Sequence, residues 1–354
     1  MRLAGNQLTE LASGVDALYL SGVAALPLLL LADLTAARDE AREARTGITF
    51  SLGEAVVQVQ SGGLQRYAFR LEHPHGVIGL TTSKSLPAVR VQPRAAFIHA
   101  VGVHGALAWF TELLEGVLGR VLWKASRVDL FMDSHGWELG AQDRSRFVCR
   151  AGQRVTYEAE EALTGLRFGS GKSGAVLARI YDKTEEMRLK GTDWWPAKWG
   201  EKYQPGERVL RVEFQVGRPL MREVGVSTPA EVLAQLPGIW GYLTDQWLTY
   251  RDVTDDATRS RWPVAGEWQN VQNATLRDDA LGLERVYAGE VAGSIRRILP
   301  GLRGYLTSAG ALLGTKNLEE TMVRVGRLLA DDEEHSGIGF AGRLRDKRLS
   351  LGLA

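Results

Sequence analysis

Three short stretches of the sequence alternate, with apolar residues on one side and most of their ionisable residues on the other. In "RVDLFMD", Arg127, Asp129 and Asp133 oppose Val128, Leu130 and Met132; in "AVLARIYDK", Arg179, Tyr181 and Lys183 oppose Val176, Ala178 and Ile180; in "VLRVEFQV", Arg211, Glu213 and Gln215 oppose Leu210, Val212, Phe214 and Val216. Side chains alternate across a β-strand, so each stretch predicts a strand with one apolar face and one face of ionisable groups. A merely solvated sheet face would suit Thr, Ser, Lys and Glu in loose order. Asp is disfavoured within strands, and Asp129 in mid-strand therefore argues for chemistry over solvation.

If the three strands are neighbours, one surface gathers three carboxylates, a tyrosine and several cations. Clustered carboxylates supply the oxygen donors that Mg²⁺ or Mn²⁺ requires. A tyrosine hydroxyl, with a reference pKa near 10, is a weak nucleophile at neutral pH. Neighbouring cations such as Arg179 and Lys183 would favour its phenolate, and a metal on a substrate phosphate would offset charge in the transition state. These parts suit phosphodiester transesterification, in which the tyrosine attacks the phosphate and holds a DNA end covalently.

The stretch "RFGSGKSG" before Tyr181 offers a competing chemistry, nucleotide binding by a phosphate loop. That loop needs G-x-x-x-x-G-K-[ST] followed at once by a helix. The first glycine would fall at Leu166, with Gly165 one position early, and "GAVLARIY" after Lys172 alternates like a strand. A tight hairpin is expected, with Lys172 on its turn near DNA.

The elements that must position these residues are legible in part. The apolar run Val23–Ala32 with Pro27 predicts the buried start of a helix that continues into a charged face. Residues 48–92 contain "AVVQVQ", "QRYAFRLE", "GVIGLTT" and "AVRVQ" between turn residues, which predicts an antiparallel meander. A helix-like stretch, "AFIHAVGVHGALAWFTELLEGVLG", leads into the strand with Asp129. Beyond about residue 217 the periodicity turns helical. Asn317 and Glu320 form a capping-box pattern, and the last segment, acidic first and basic last, suits a terminal helix. The expected fold class is α+β: a mainly antiparallel sheet carrying the active site, packed by helices, with a helical C-terminal part. The expected domains are 1–275 and 276–354.

Totals narrow the field. With 43 Lys and Arg against 42 Asp and Glu, any nucleic-acid surface must be local. Cys149 is the single cysteine, which leaves no intrachain disulfide or Cys-rich zinc site. The longest apolar run is far shorter than the roughly twenty residues of a membrane span, and the N-terminus lacks a signal-peptide pattern, so a cytoplasmic protein without a membrane partner is expected.

At "RVDLFMD", "RFGSGKSGAVLARIYDKTEE" and "ERVLRVEFQVGRPL", in that order, the sequence resembles the trans-acting replication initiation factor family, which includes rolling-circle plasmid initiators, related relaxases of integrative elements and replication proteins of some filamentous phages. The resemblance spans roughly residues 120–220. It implies that Tyr181 is the nicking nucleophile and that Asp129 and Glu213 first, and Asp133 next, bind the metal. It also implies origin DNA as partner, as a hairpin or single-stranded nick site, and a host helicase; a homodimer is compatible with it. Arg127 and Arg211, on the same strand faces, join Lys172 as candidate DNA contacts. The alternatives are a relaxase of a mobile element and a non-catalytic DNA-binding regulator with the same fold.

Two further features have competing readings. Trp194 and Trp195, beside Lys198 and Lys202, could stack unpaired bases, or could pack a loop against its neighbours. "HPH" at 73–75 reads as a turn, because Pro74 removes a ladder donor.

Overall fold

The computed structural model describes residues 8–159, 162–170, 175–277, 302 and 306–336, together with 339, 341 and 344. Lys172 lies outside the described residues. The chain divides into two units, Met1–Arg285 and Val286–Ala354.

The first unit opens with a long strand, β1 (Thr9–Val23), and helix α1 (Leu28–Ala44), followed by a meander of β2 (Ile48–Leu52), β3 (Ala55–Val59), β4 (Phe69–His73), β5 (Gly76–Leu80) and β6 (Val89–Pro93). Helix α2 (Ala95–Leu118) leads into β7 (Leu122–His135), then β8 (Phe147–Cys149), β9 (Arg154–Ala159), β10 (Ala162–Phe168) and β11 (Val176–Asp182). After α3 (Lys183–Lys190) and α4 (Trp195–Trp199) comes β12 (Leu210–Gly217). The rest is α5 (Arg218–Glu223), α6 (Pro229–Ala234), α7 (Leu236–Tyr242), the short β13 (Leu248–Tyr250) and α8 (Gly266–Gln272).

Eleven strands form one sheet in the order β2-β3-β4-β5-β6-β1-β7-β12-β11-β10-β9. Its ladders are antiparallel. The fold is α+β, and the three strands with ionisable faces are indeed contiguous, as β7-β12-β11. Their other faces supply Val128, Leu130, Met132, Ala178, Ile180, Val212 and Phe214 to the core, all at most 1% exposed. Burying a Val, Leu or Phe side chain is worth about 1.5–3 kcal/mol, and a one-residue slip would turn every one of them outward. Their burial therefore fixes the register that aligns the ionisable face.

Two expectations change. The strand β1 has no counterpart in the sequence pattern, because register shifts at Glu10/Ala12, Val15/Ala17 and Tyr19/Leu20 break its alternation. Pro27 does stand at the N-terminal cap of α1, but Leu28 and Leu29 beside it are 84% and 80% exposed, so the helix start is a surface feature. Among the described residues α2 is the one helix apolar and long enough to cross a membrane by composition, with mean hydropathy 1.3. It kinks at Gly102 and buries Ile98, Ala106, Phe110 and Leu114.

In the second unit, helical residues 306–313 (α9) are followed by α10 (Leu318–Ser336). Asn317 caps the helix, its Oδ1 accepting from the Glu320 amide at 2.9 Å, while Glu320 Oε2 accepts from the amide of Lys316, one residue before the cap, at 3.0 Å. The acidic residues 331–334 belong to α10, and most of the segment after it, where the terminal helix was expected, lies outside the described residues.

Candidate active site

The strand register lays out the ionisable face in rows. Tyr181 pairs with Arg211, which pairs on its other side with Asp133; Arg179 pairs with Glu213, which pairs with Phe131; Gln215 pairs with Asp129. On the outer flank Gly165 of β10 pairs with Tyr181 and, beyond it, with Tyr157 of β9. The far flank is β1, where the shift between Val15 and Ala17 inserts Asp16.

A cleft of about 760 Å³ opens over part of this face. Asp129, Arg127, Arg179, Tyr181, Lys183 and Glu213 all line it. The half-buried Tyr181 donates its hydroxyl to Glu213 Oε2 at 2.9 Å, and Arg179 Nη1 donates to Glu213 Oε1 at 2.5 Å. A hydroxyl, the carboxylate that accepts its hydrogen bond and the guanidinium that holds that carboxylate are thus in line. Burial, and then the charge of Glu213, push the Tyr181 hydroxyl well above the ordinary tyrosine pKa, outweighing the charge of Arg211. The expectation that cations hold Tyr181 as a phenolate is therefore corrected: a carboxylate receives its hydrogen bond, so the proton has an acceptor in place while the ring stays neutral.

Asp129 is 2% exposed and is gripped by Arg127, whose Nε donates to Oδ1 at 2.7 Å and whose Nη2 donates to Oδ2. Burial raises the Asp129 carboxyl to about 6; the hydrogen bond and charge of Arg127 oppose the rise, while the charge of Glu213 adds to it. Lys183, 5% exposed at the first position of α3, bonds Glu186 at 2.6 Å and sits 4.7 Å from the Trp195 ring. Burial and the neighbouring Arg211 lower its pKa, against the pull of Glu186.

Other expected members of the face lie beneath a cover. Phe131 shares the side of β7 that carries Asp129 and Asp133, and with Trp195, Trp199, Leu11 and Val209 it forms a separate apolar cluster over this half of the sheet. Under it Arg211, fully buried, donates from Nε and Nη2 to the two oxygens of Asp133 at 2.6 and 2.7 Å, and Trp199 Nε1 donates to Asp133 Oδ2 at 2.8 Å. Arg211 Nη1 reaches Asp16 Oδ1 at 3.1 Å, and the guanidinium lies 4.0 Å from the Trp195 ring. Asp133 is thus satisfied by a buried ion pair and is not presented to the cleft, and Arg211 has no surface to offer DNA. Trp195, 2% exposed, belongs to the cover; Trp194 is half-buried and stacked on it at 4.2 Å, so the packed-loop reading describes both.

Asp16 was not foreseen. It accepts from Arg211 and from His99 Nε2 at 3.2 Å; burial alone would raise its pKa, but the His99 hydrogen bond and the Arg211 charge hold it down at about 2. A single Asp among small residues in an irregular strand carries no period-two signal. Tyr157 and Gly165 were likewise missed as cleft residues, since the charges of β9, Arg154 and Glu158, stand at positions alternate to Tyr157 and β10 carries a single charge, Arg167.

Among the described residues no three of His, Cys, Asp and Glu come together as a metal cluster. Four carboxylates line the cleft, Asp16, Asp129, Glu186 and Glu213; Asp16 is held by Arg211 and His99 and Glu186 by Lys183 and Lys190, and Asp129 and Glu213 are the pair expected from the sequence. A Mg²⁺ site of one or two carboxylates completed by substrate phosphate and water needs no more from a protein, so this donor pair fits a divalent cation while Asp133 does not. "HPH" forms the β4–β5 turn, with His75 stacked on Phe97 at 3.8 Å. The strands β10 and β11 pair antiparallel, and β11 is a strand where a phosphate loop needs a helix; the expected turn at 171–174 lies outside the described residues.

No family model matches the chain, and no curated protein does. Among solved structures it is similar to the rolling circle replication initiator protein from Geobacillus stearothermophilus, with a TM-score of 0.46 and 15% identity, over 78% of this chain and 99% of that one. At that TM-score the likeness assigns no function to this chain.

Proposed function

We propose that the chain is a DNA strand-nicking and rejoining enzyme that initiates rolling-circle replication, with Tyr181 as its nucleophile. The observation that carries this is the aligned set Tyr181, Glu213 and Arg179 at a cleft edged by Arg127 and Lys183. Tyr181 Oη attacks the scissile phosphorus as its proton passes to Glu213, a phosphotyrosyl bond forms, and the phosphorus–oxygen bond to the leaving strand breaks with that oxygen taking up a proton. Arg179 keeps Glu213 aimed at the hydroxyl. Arg179 and Lys183 face the charge that gathers on the phosphate oxygens. A divalent cation, which Asp129 and Glu213 would hold, supplies further positive charge to the phosphate. Rejoining is the same transfer reversed, with a strand hydroxyl displacing Tyr181. Origin DNA is the corresponding partner, and a host helicase would act on the nicked product.

The test is incubation with a labelled, randomised pool of single-stranded oligonucleotides and Mn²⁺, followed by denaturing electrophoresis and mass spectrometry. A covalent adduct on Tyr181 is expected. Binding without any adduct would make the chain a DNA-binding regulator.

A further inference from the structure

We infer that the slot between Tyr157 and Tyr181, floored by Gly165, receives an unpaired nucleobase of the DNA strand beside the scissile phosphate. The inference rests on the nicking function proposed above and adds a base subsite to it. Tyr157, Gly165 and Tyr181 are cross-strand partners in one row of the sheet, and all three line the cleft. Tyr157 and Tyr181 therefore stand two strands apart, about 10 Å between backbones. That spacing suits one flat ring between two others, at about 4.5–7 Å from centroid to centroid.

The middle of the row is bare. A side chain at position 165 would begin 3.2 Å from Tyr181 Cβ, crowding the nucleophile as well as filling the gap. Tyr181 leans the other way, toward Glu213 on β12, which leaves the space over Gly165 open. Tyr157 is 46% exposed, and among the described residues its ring and hydroxyl have no partner. An aromatic wall held out from the edge strand β9 beside a bare glycine suits a base, because stacking needs only a π-face. Arg179 and Lys183 sit one step away, where the strand's phosphates would run.

The experiment compares binding of an oligothymidylate with binding of an equally long strand of abasic spacers, at one low salt concentration, by fluorescence anisotropy. Both strands carry the same phosphates, so only the first reports stacking. Tyr157→Ala is expected to weaken oligothymidylate binding roughly 5- to 150-fold, equivalent to the ~1–3 kcal/mol of one base–aromatic stack, and to leave the abasic strand within two-fold or so. Tyr157→Trp, which keeps an aromatic face, should bind like wild type and shows that position 157 tolerates replacement. Equal loss on both strands, no loss on either, or a wild type that does not prefer the oligothymidylate overturns the subsite. Adduct formation on Tyr181 is scored separately: its absence would sink the nicking reaction, whereas an adduct together with unchanged binding by Tyr157→Ala would sink only the slot.

Discussion

Tyr181 and Glu213 are diagonal neighbours across adjacent antiparallel strands: each is in register with an arginine of the other's strand, and the two meet through a 2.9 Å hydrogen bond. Diagonal partners on one sheet face are within reach of long side chains, so the strand pairing brings hydroxyl and carboxylate together without help from a loop. The same register gives Arg179 to Glu213 and Arg211 to Tyr181, and the four groups are fixed by the apolar residues on the opposite face.

Tyr181→Phe removes only the hydroxyl. The covalent adduct should disappear while affinity for single-stranded DNA stays within a few-fold of wild type, as measured by anisotropy. An adduct that persists would move the nucleophile to another tyrosine, with Tyr157, already in the cleft, first in line.

Glu213→Gln and Asp129→Asn separate two duties. Glu213→Gln loses a metal donor and the proton acceptor together, so it should need more Mg²⁺ or Mn²⁺ and still nick about 10²–10⁴ more slowly when the metal is in excess. Asp129→Asn should raise the metal concentration needed for half-maximal nicking but approach wild-type rate when metal is in excess. Metal titrations of nicking check both; wild-type metal dependence in both variants would remove these carboxylates from any metal site.

Asp129 also sets a pH dependence of stability. Its carboxyl titrates near 6 in the folded protein and near 3.9 in an unfolded chain. Between those values the folded state holds more protons, so this group's contribution worsens as pH rises from about 4 to 6. Above that window the cost levels off at about 3 kcal/mol. Asparagine does not ionise, and Asp129→Asn should therefore gain stability relative to wild type between pH 4.5 and 7.5 in urea denaturation. A difference between the two proteins that is the same at both pH values would contradict this.

Sequence periodicity located the strands β7, β11 and β12 because each keeps an apolar residue at every second position of its core face. It failed on β1, whose bulges shift the period and create Asp16's position. It also placed Asp133 beside Asp129 by counting charges. Phe131, between them on the same side, was the available sign that half the face is covered, and Trp195 and Trp199 complete that cover from a helix far along the chain. Which charges face a cleft and which pair under a lid depends on that long-range packing. The alternation of one strand cannot carry it.

Arg211 and Asp133 are accordingly structural. Arg211→Ala would leave Asp133 charged and buried and should cost about 3–5 kcal/mol by urea denaturation. The double replacement Arg211→Met with Asp133→Leu should recover much of that, because it leaves no lone charge beneath Trp195. If Arg211→Ala kept full stability and lost only DNA affinity, the residue would belong to the DNA surface after all.

Lys172→Ala decides between the two chemistries that the hairpin sequence suggests. A phosphate-loop lysine contacts nucleotide phosphates, so its loss would abolish ATP binding. The strands β10 and β11 pair with each other, and the element that begins at Val176 is a strand, whereas such a loop requires a helix. No ATP turnover is expected from the wild type. Lys172→Ala should affect DNA affinity alone, reducing the salt dependence of binding by about one counterion. Isothermal titration with ATP and a salt series of DNA binding check the two halves. Stoichiometric ATP binding that vanishes in Lys172→Ala would transfer the function from Tyr181 to the lysine.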